Sequence, residues 1–257
     1  MQILKPIGSS VLAVGQTVGE MISLLCEMLY FFKEAPRNLT SIFRQMSIVG
    51  IETLPIAMLV ALFVGMVLSV QTGSELALYG TQEAIGAIVG LSMVKELGPV
   101  MTSLLVAGRV GSSMAAEIGA MQVYEEIDAL KTLEINPVRY LAMPRLIACL
   151  FAVPALVAFA MVVGIIGGGI VAEVNPKIDV PFNVYYENMT RAINYKDIVK
   201  GLFKAMVFGG IIAHVGCYVG FKTSGGARGI GESTTRSVVL SFLLIMIPNY
   251  LLTRFMI

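Results

Sequence analysis

Four ionisable residues, Lys95, Glu96, Arg109 and Glu117, stand inside otherwise apolar sequence between Ala84 and Met121. Charged groups at membrane depth are costly, so they mark a pathway or an internal pairing far more often than they face lipid. Lys95 and Glu96 are adjacent, and neighbours on a helix point about 100° apart, so they do not neutralise each other along one face. Each needs its own partner, and Lys204, another cation in an apolar run, is a candidate for Glu96. Counted along a helix, the two sit about eleven residues, roughly 16 Å, inside their apolar segment, which is hydrocarbon depth.

Little else in the chain is reactive. His214 is the only histidine, which excludes a two-histidine metal site and a Ser-His-Asp triad. It reads as a hydrogen-bonded packing residue. Cys26, Cys149 and Cys217 lie singly in apolar surroundings, a poor disulfide framework, and read as packing residues too. The stretch Thr223 to Ser233 nearly spells a phosphate loop. Glu232 stands where that loop needs Lys, and no strand precedes it, so its glycines read as a tight turn.

These residues must be held by membrane helices. Of the 257 residues 56% are hydrophobic and 14% charged, where a soluble domain carries about 25% charged residues. The mean hydropathy is +0.82. Such a chain is not a soluble enzyme, and a net charge of +1 gives no basic excess for nucleic acid. Charge-poor stretches near the roughly 20 residues of one bilayer crossing predict spans at 47–74, 84–121, 146–172, 198–221 and 237–257. Small residues recur every fourth position as Gly65, Ser69, Gly73, then as Ala107, Gly111, Ala115, Gly119 and Gly108, Ser112, Ala116, Ala120. Backbones approach closely along such rows. Pro99 predicts a kink in the second span.

Ahead of the spans, Val11, Val14, Val18, Met21, Leu25, Met28 and Phe32 make an apolar stripe, while Glu20, Glu27 and Glu34 keep a seven-residue beat on another face. That pattern over 8–35 predicts an amphipathic helix in the membrane interface or against the bundle, closed by Pro36. The N-terminus, with Lys5 and Pro6, lacks the features of a removable signal peptide or an organelle transit peptide. With a cytoplasmic N-terminus the inside segments carry ten Lys and Arg, Arg145 among them, against five outside, so the bias favours N-in and C-out. Between spans two and three, 123–136 holds Ile127, Leu130 and Leu133 at helical spacing before Asn136-Pro137. Two readings stand: an interfacial connector, or a docking helix for a soluble partner.

The runs Lys95-Glu96-Leu97-Gly98-Pro99-Val100, Leu105 to Ser112, Ala116 to Gly119, Glu126 to Leu130 and Pro137 to Leu141 together resemble the MlaE family of permeases. The likeness resumes at Gly216 to Gly220, Thr223 to Ala227 and Thr234-Thr235-Arg236-Ser237-Val238-Val239, and covers the chain from Phe63 onward. It implies an all-α integral membrane protein, one permease domain over 1–257, with an N-terminal interfacial amphipathic helix, five transmembrane helices and a cytoplasmic coupling helix. It further implies a homodimer that moves phospholipid between the inner and outer membranes of a diderm bacterium, seated in the inner membrane. ATP and Mg would be bound by a separate cytoplasmic ABC ATPase and no cofactor by this chain, so the chain itself is not an enzyme.

The resemblance also brings a periplasmic MCE-domain protein and a small cytoplasmic regulatory subunit as partners. It puts ATPase coupling on Glu125, Glu126, Ile127, Asp128 and Leu130, and lipid contact on Leu68, Leu76, Tyr79 and Lys95. Lys95 stands where Arg is also found, which keeps the cation but loses the bidentate fork. Asn249 stands where Asp is frequent, which leaves the acidic partner of Lys204 open. For Lys95 the alternatives are a lipid phosphate or a structural pair. At the level of function, an ion-coupled transporter or channel would use Lys95, Glu96, Arg109 and Glu117 as a relay. Such folds often carry paired internal repeats, and none is visible between the two halves.

Overall fold

The computed structural model describes the backbone of residues 4–256 and the side chains of residue 12 and of 15–256. The side chains of Lys5, Val11 and Val14 and the terminal Ile257 therefore lie outside the described residues. Among those described there is helix and no strand, and five helical runs are long and apolar enough to cross a membrane: 15–78, 82–123, 138–174, 195–221 and 226–256.

The first helix, α1, runs Leu4–Tyr30. Pro36 does not end it. The chain tightens into a 3-10 segment at Phe31–Asn38 and continues as α2, Leu39–Met46, because a proline with no N–H to give is tolerated in a short tight turn. A π turn at Ser47–Ile51 leads to α3, Leu54–Leu78, which opens with Pro55 in its first turn. The second run is built of α4 (Ile85–Ser92), α5 (Gly98–Val106) and α6 (Ser112–Val123), with π turns at Met93–Leu97 and Ala107–Gly111 between them. A short helix α7, Glu126–Thr132, connects to α8, Met143–Val174. After α9, Phe182–Ala192, come α10, Tyr195–Phe221, and α11, Gly226–Met256.

Small residues decide which helices touch. Ala57, Ala61, Gly65, Ser69 and Gly73 form one buried row along α3. A methyl added at Gly65 would run into the backbone carbonyl of Gly164 on α8, and the Ser69 hydroxyl donates to the Gly168 carbonyl at 2.8 Å. α10 is the most buried span. Its Gly209 lies against the Cys149 carbonyl of α8 and its Gly216 against Gly111. The row Ala107, Gly111, Ala115, Gly119 is therefore buried inside the protomer, while Gly108, Ser112, Ala116 and Ala120 are only half-buried. Gly225 and Gly226, at φ +89° and +67°, make the tight turn into α11, a conformation open to glycine at little cost.

α1 sits differently from its pattern. Glu20 and Glu27, with Glu34 of the 3-10 segment that follows, face the protein: Tyr218 donates to Glu20 at 3.1 Å and Lys222 pairs with Glu20 at 2.9 Å. That hydrogen bond raises the Lys222 pKa. Asn136 donates to Glu27 at 3.0 Å, and Arg139 pairs with Glu34 at 2.8 Å. The apolar stripe divides, with Met28 buried in the core and Val18 and Leu25 exposed alongside Ile22 and Leu29. Cys149 and Cys217 are buried as packing residues, but Cys26 is exposed.

Candidate functional site

Lys95, Glu96 and Lys204 of the sequence analysis meet at one end of the bundle, beside Pro99. Having no N–H, Pro99 interrupts the backbone ladder directly after the π turn, in which Gly98 donates five residues back to Met93. The ammonium of Lys204, from the third turn of α10, donates to the Lys95 carbonyl at 3.0 Å. It also donates to Glu96 Oε1 at 2.6 Å and to Thr253 Oγ1 of α11 at 2.7 Å. Three donors thus find three acceptors, and the Lys204 side chain is only 4% exposed. The Thr253 hydroxyl lies within hydrogen-bond distance of Glu96 Oε1, 2.8 Å, and of the Asn249 carbonyl, 2.7 Å. Glu96, not residue 249, is the acidic partner of Lys204.

Lys95 turns the other way and pairs with Asp197 Oδ1 at 3.1 Å. The second oxygen of Asp197 accepts the Asn194 N–H at 3.2 Å, closing a capping box at the start of α10. Lys200 donates to the Met256 carbonyl near the end of α11. Together Lys95, Glu96, Asp197, Lys200, Lys204 and Thr253 line a cavity of about 480 Å³. Three ammonium groups face two carboxylates, which leaves one positive charge in excess. Lys95 is about half exposed at 48% and is the member of the set open to a ligand.

The cluster lies level with the start of α10 and the end of α11. Asp197 is in the first turn of α10 and Met256 closes α11, so α4 extends beyond both. α9, absent from the sequence reading, packs there: methyls added at Gly86 and Gly169 would meet Tyr185 and Phe182 of α9. Burial of Tyr185 pushes its hydroxyl pKa up.

The remaining charges are held apart. Arg109 reaches Thr53 Oγ1 at 2.5 Å and Glu52 at 3.3 Å, while Glu117 pairs with Arg145 at 2.8 Å. The Arg145 side chain is buried, 7% exposed, and is thus not one of the solvated cations that favour the inside. Arg109 is thirteen residues, about 20 Å of helix rise, from Glu96. The four charges of span two therefore close on four separate partners and make no continuous relay. His214 is buried, but its Nδ1 has no hydrogen-bond partner among the described residues, contrary to expectation.

The implied lipid residues are not gathered in one protomer. Leu68 and Leu76 pack inward against a cluster that includes Ile85, Val89 and Tyr185, Tyr79 is 78% exposed at the end of α3, and none of them lines the Lys95 cavity. At the other end of the bundle, Glu125, Glu126 and Asp128 of the coupling segment are exposed. Ile127 is buried in the main core and the partly buried Leu130 packs on it, so these two anchor α7. Glu125 and Glu134 bracket α7 at φ +61° and +60°, which non-glycine residues seldom adopt. Asn136 then accepts the N–H groups of Val138 and Arg139 and starts the next helix.

Asp197, Lys200 and α9 were not singled out from sequence. Asn194-x-x-Asp197 ahead of an apolar run is a capping signal for α10, and Phe182, Tyr185 and Met189 at helical spacing after Pro181 signal α9.

Five apolar helices, buried small-residue seams and ionisable groups gathered at a helix end define an all-α, multi-pass membrane permease. Residues 42–255 match the model of the family described as Permease MlaE. The chain is 37% identical over 254 residues to a probable ABC transporter permease protein of Rickettsia felis, covering 99% of this chain and 97% of that one. It is 44% identical over 223 residues to a probable ABC transporter permease protein of Synechocystis, covering 85% and 82%. It is also 38% identical over 212 residues to the chloroplastic protein TRIGALACTOSYLDIACYLGLYCEROL 1 of Arabidopsis thaliana, covering 82% and 60%. The chain belongs to the MlaE permease family, and it is the membrane permease subunit of an ABC transporter.

Proposed function

We propose that the cargo is a phospholipid, moved between the inner and outer membranes by a homodimer of this chain driven by a separate ATPase. The observation that carries the reading is the lysine-lined cavity, where a half-exposed ammonium and one surplus positive charge suit a lipid phosphate. The name of the Arabidopsis relative, that of a diacylglycerol lipid, supports a lipid cargo. Lys95 exchanges Asp197 for the phosphate, and Asp197 keeps its hold on the Asn194 N–H. A second copy supplies the rest of the cavity, with Leu68, Leu76 and Tyr79 of the two protomers as its apolar part. An MCE-domain protein above that mouth receives or delivers the lipid. The Lys and Arg bias supports a cytoplasmic N-terminus in the inner membrane.

The reading is tested with Lys95→Ala in the assembled transporter. Lipid co-purified with the complex and lipid moved to acceptor vesicles should each fall on the order of tenfold, the value of one charged hydrogen bond. Assembly should survive. Full loading and transport would remove the phosphate role, and loss of assembly would make Lys95 a structural pair.

The ATPase, carrying ATP and Mg²⁺, docks on α7 through Glu125, Glu126 and Asp128, while Ile127 and Leu130 tether the helix. Replacing Glu126 and Asp128 together by Lys should abolish co-purification of the ATPase while the permease stays folded, because both side chains are exposed. Unchanged assembly would move the docking surface elsewhere.

A further inference from the structure

Far from the lysine cavity, α1 and the first half of α11 enclose an open groove of about 1030 Å³. This volume is at the upper end of small-ligand pockets, about 300–1,000 Å³. Its lining is sorted along the α11 axis. Arg228, Glu232 and Arg236 succeed one another at four-residue steps, and Val239, Leu243 and Leu244 continue the same side. Arg228 is paired with Glu232 at 2.9 Å. Arg236 is exposed and has no hydrogen bond or ion pair among the described residues. From Arg236 to Leu244 the helix rises about 12 Å. A cation at one end and an apolar trough beyond it match an amphiphile with an anionic head. The mouth opens beside the exposed apolar residues Val18, Ile22, Leu243 and Ile247, a surface that a bilayer covers.

We propose that this groove holds an anionic phospholipid of the leaflet on the α7 side, its phosphate on Arg236 and its acyl chains along Val239, Leu243 and Leu244. The guanidinium fork suits two phosphate oxygens. The groove is separate from the transport cavity: Arg236 precedes Thr253 by seventeen residues, about 26 Å of helix rise. It gives the Thr234 to Val239 stretch a role in holding lipid, and it stands or falls independently of the cargo proposed above.

The chain has no tryptophan, so one introduced residue reports alone. Val239 and Leu243 are 53% and 60% exposed, so V239W and L243W fit at the groove mouth, with F159W on the 54% exposed Phe159 of α8 as control. Each full-length variant is placed in lipid vesicles in which brominated phosphatidylglycerol or brominated phosphatidylcholine is titrated against ordinary phosphatidylcholine. At V239W and L243W the anionic lipid should quench at a mole fraction on the order of tenfold lower than the zwitterionic one. At F159W the two should be equal. Adding R236Q should abolish the preference, and R236K should restore part of it. Equal quenching by both lipids at V239W and L243W would overturn the proposal, leaving ordinary lipid contact. So would a preference that survives R236Q. Absence of quenching there, with F159W quenched, would mean that protein covers the groove.

Discussion

Replacing Glu96 by alanine should unfold or disassemble the permease, at a cost of about 3 kcal/mol, because it leaves the Lys204 ammonium buried without a counter-charge. The Lys95 carbonyl and Thr253 hydroxyl remain as acceptors but carry no formal charge. Thermal unfolding in detergent and the yield of assembled complex read the loss directly. The pair E96L with K204M should recover most of the stability, since apolar groups of similar volume often replace a buried ion pair without penalty. Lys95→Ala serves as the contrast. Its partner Asp197 is 11% exposed but keeps the Asn194 N–H and has Lys200 one turn further along α10, and Lys95 is half exposed, so the stability lost should be smaller than for E96A. Equal destabilisation by E96A and K95A would sink this division between a buried anchor and an accessible cation.

Gly65→Ala should be almost as damaging, although it adds one methyl group. The added carbon would meet the backbone of Gly164, and two helix backbones cannot yield as the tip of a side chain can. α3 must separate from α8, which also breaks the bond from Ser69 to the Gly168 carbonyl. Overpacking costs about 1–3 kcal/mol where side chains repack, and the rigid seam puts this change at or above the upper limit. Gly111→Ala makes the comparison. Its added carbon would meet the Ile212 Cγ2 methyl at 3.2 Å, a contact that a few tenths of an ångström relieve. Gly111→Leu exceeds that space and should misfold the protomer. Thermal unfolding of the three variants should rank G111A well above G65A and G111L. If G65A melted with wild type, the α3 to α8 seam would not be as tight as the structure has it.

Membrane class, helical fold and small-residue seams were legible because they depend on local properties. Apolar length against bilayer thickness and four-residue spacing of Gly, Ala and Ser are read along the chain without knowing any partner. Gly65 and Ser69 of that row lie against α8 for that reason, while Gly73 meets Ile178 and Ile85. The pairing of Glu96 with Lys204 was also accessible, since a charge in an apolar helix demands an opposite one and few were on offer.

Other properties depended on contacts between distant segments. The seven-residue beat of Glu20, Glu27 and Glu34 has the same pattern whether it faces water or the protein. Only the arrival of Tyr218, Lys222, Asn136 and Arg139 beside α1 turned that face inward. Ile127 and Leu130 fell at helical spacing with the exposed acids of α7, yet the core takes them, so spacing could not separate tether from docking surface. A count from the start of span two does not tell which helix ends lie level with Lys95, because the helices of the bundle start and stop at different levels. By itself the sequence determined that this is a five-span helical membrane protein with unusual internal charges, because hydrophobic length and residue spacing are local quantities. The tertiary structure alone decided that Asp197, Lys200 and the Lys95 carbonyl join those charges in one cavity, because ion pairs form by proximity in space between residues about a hundred positions apart.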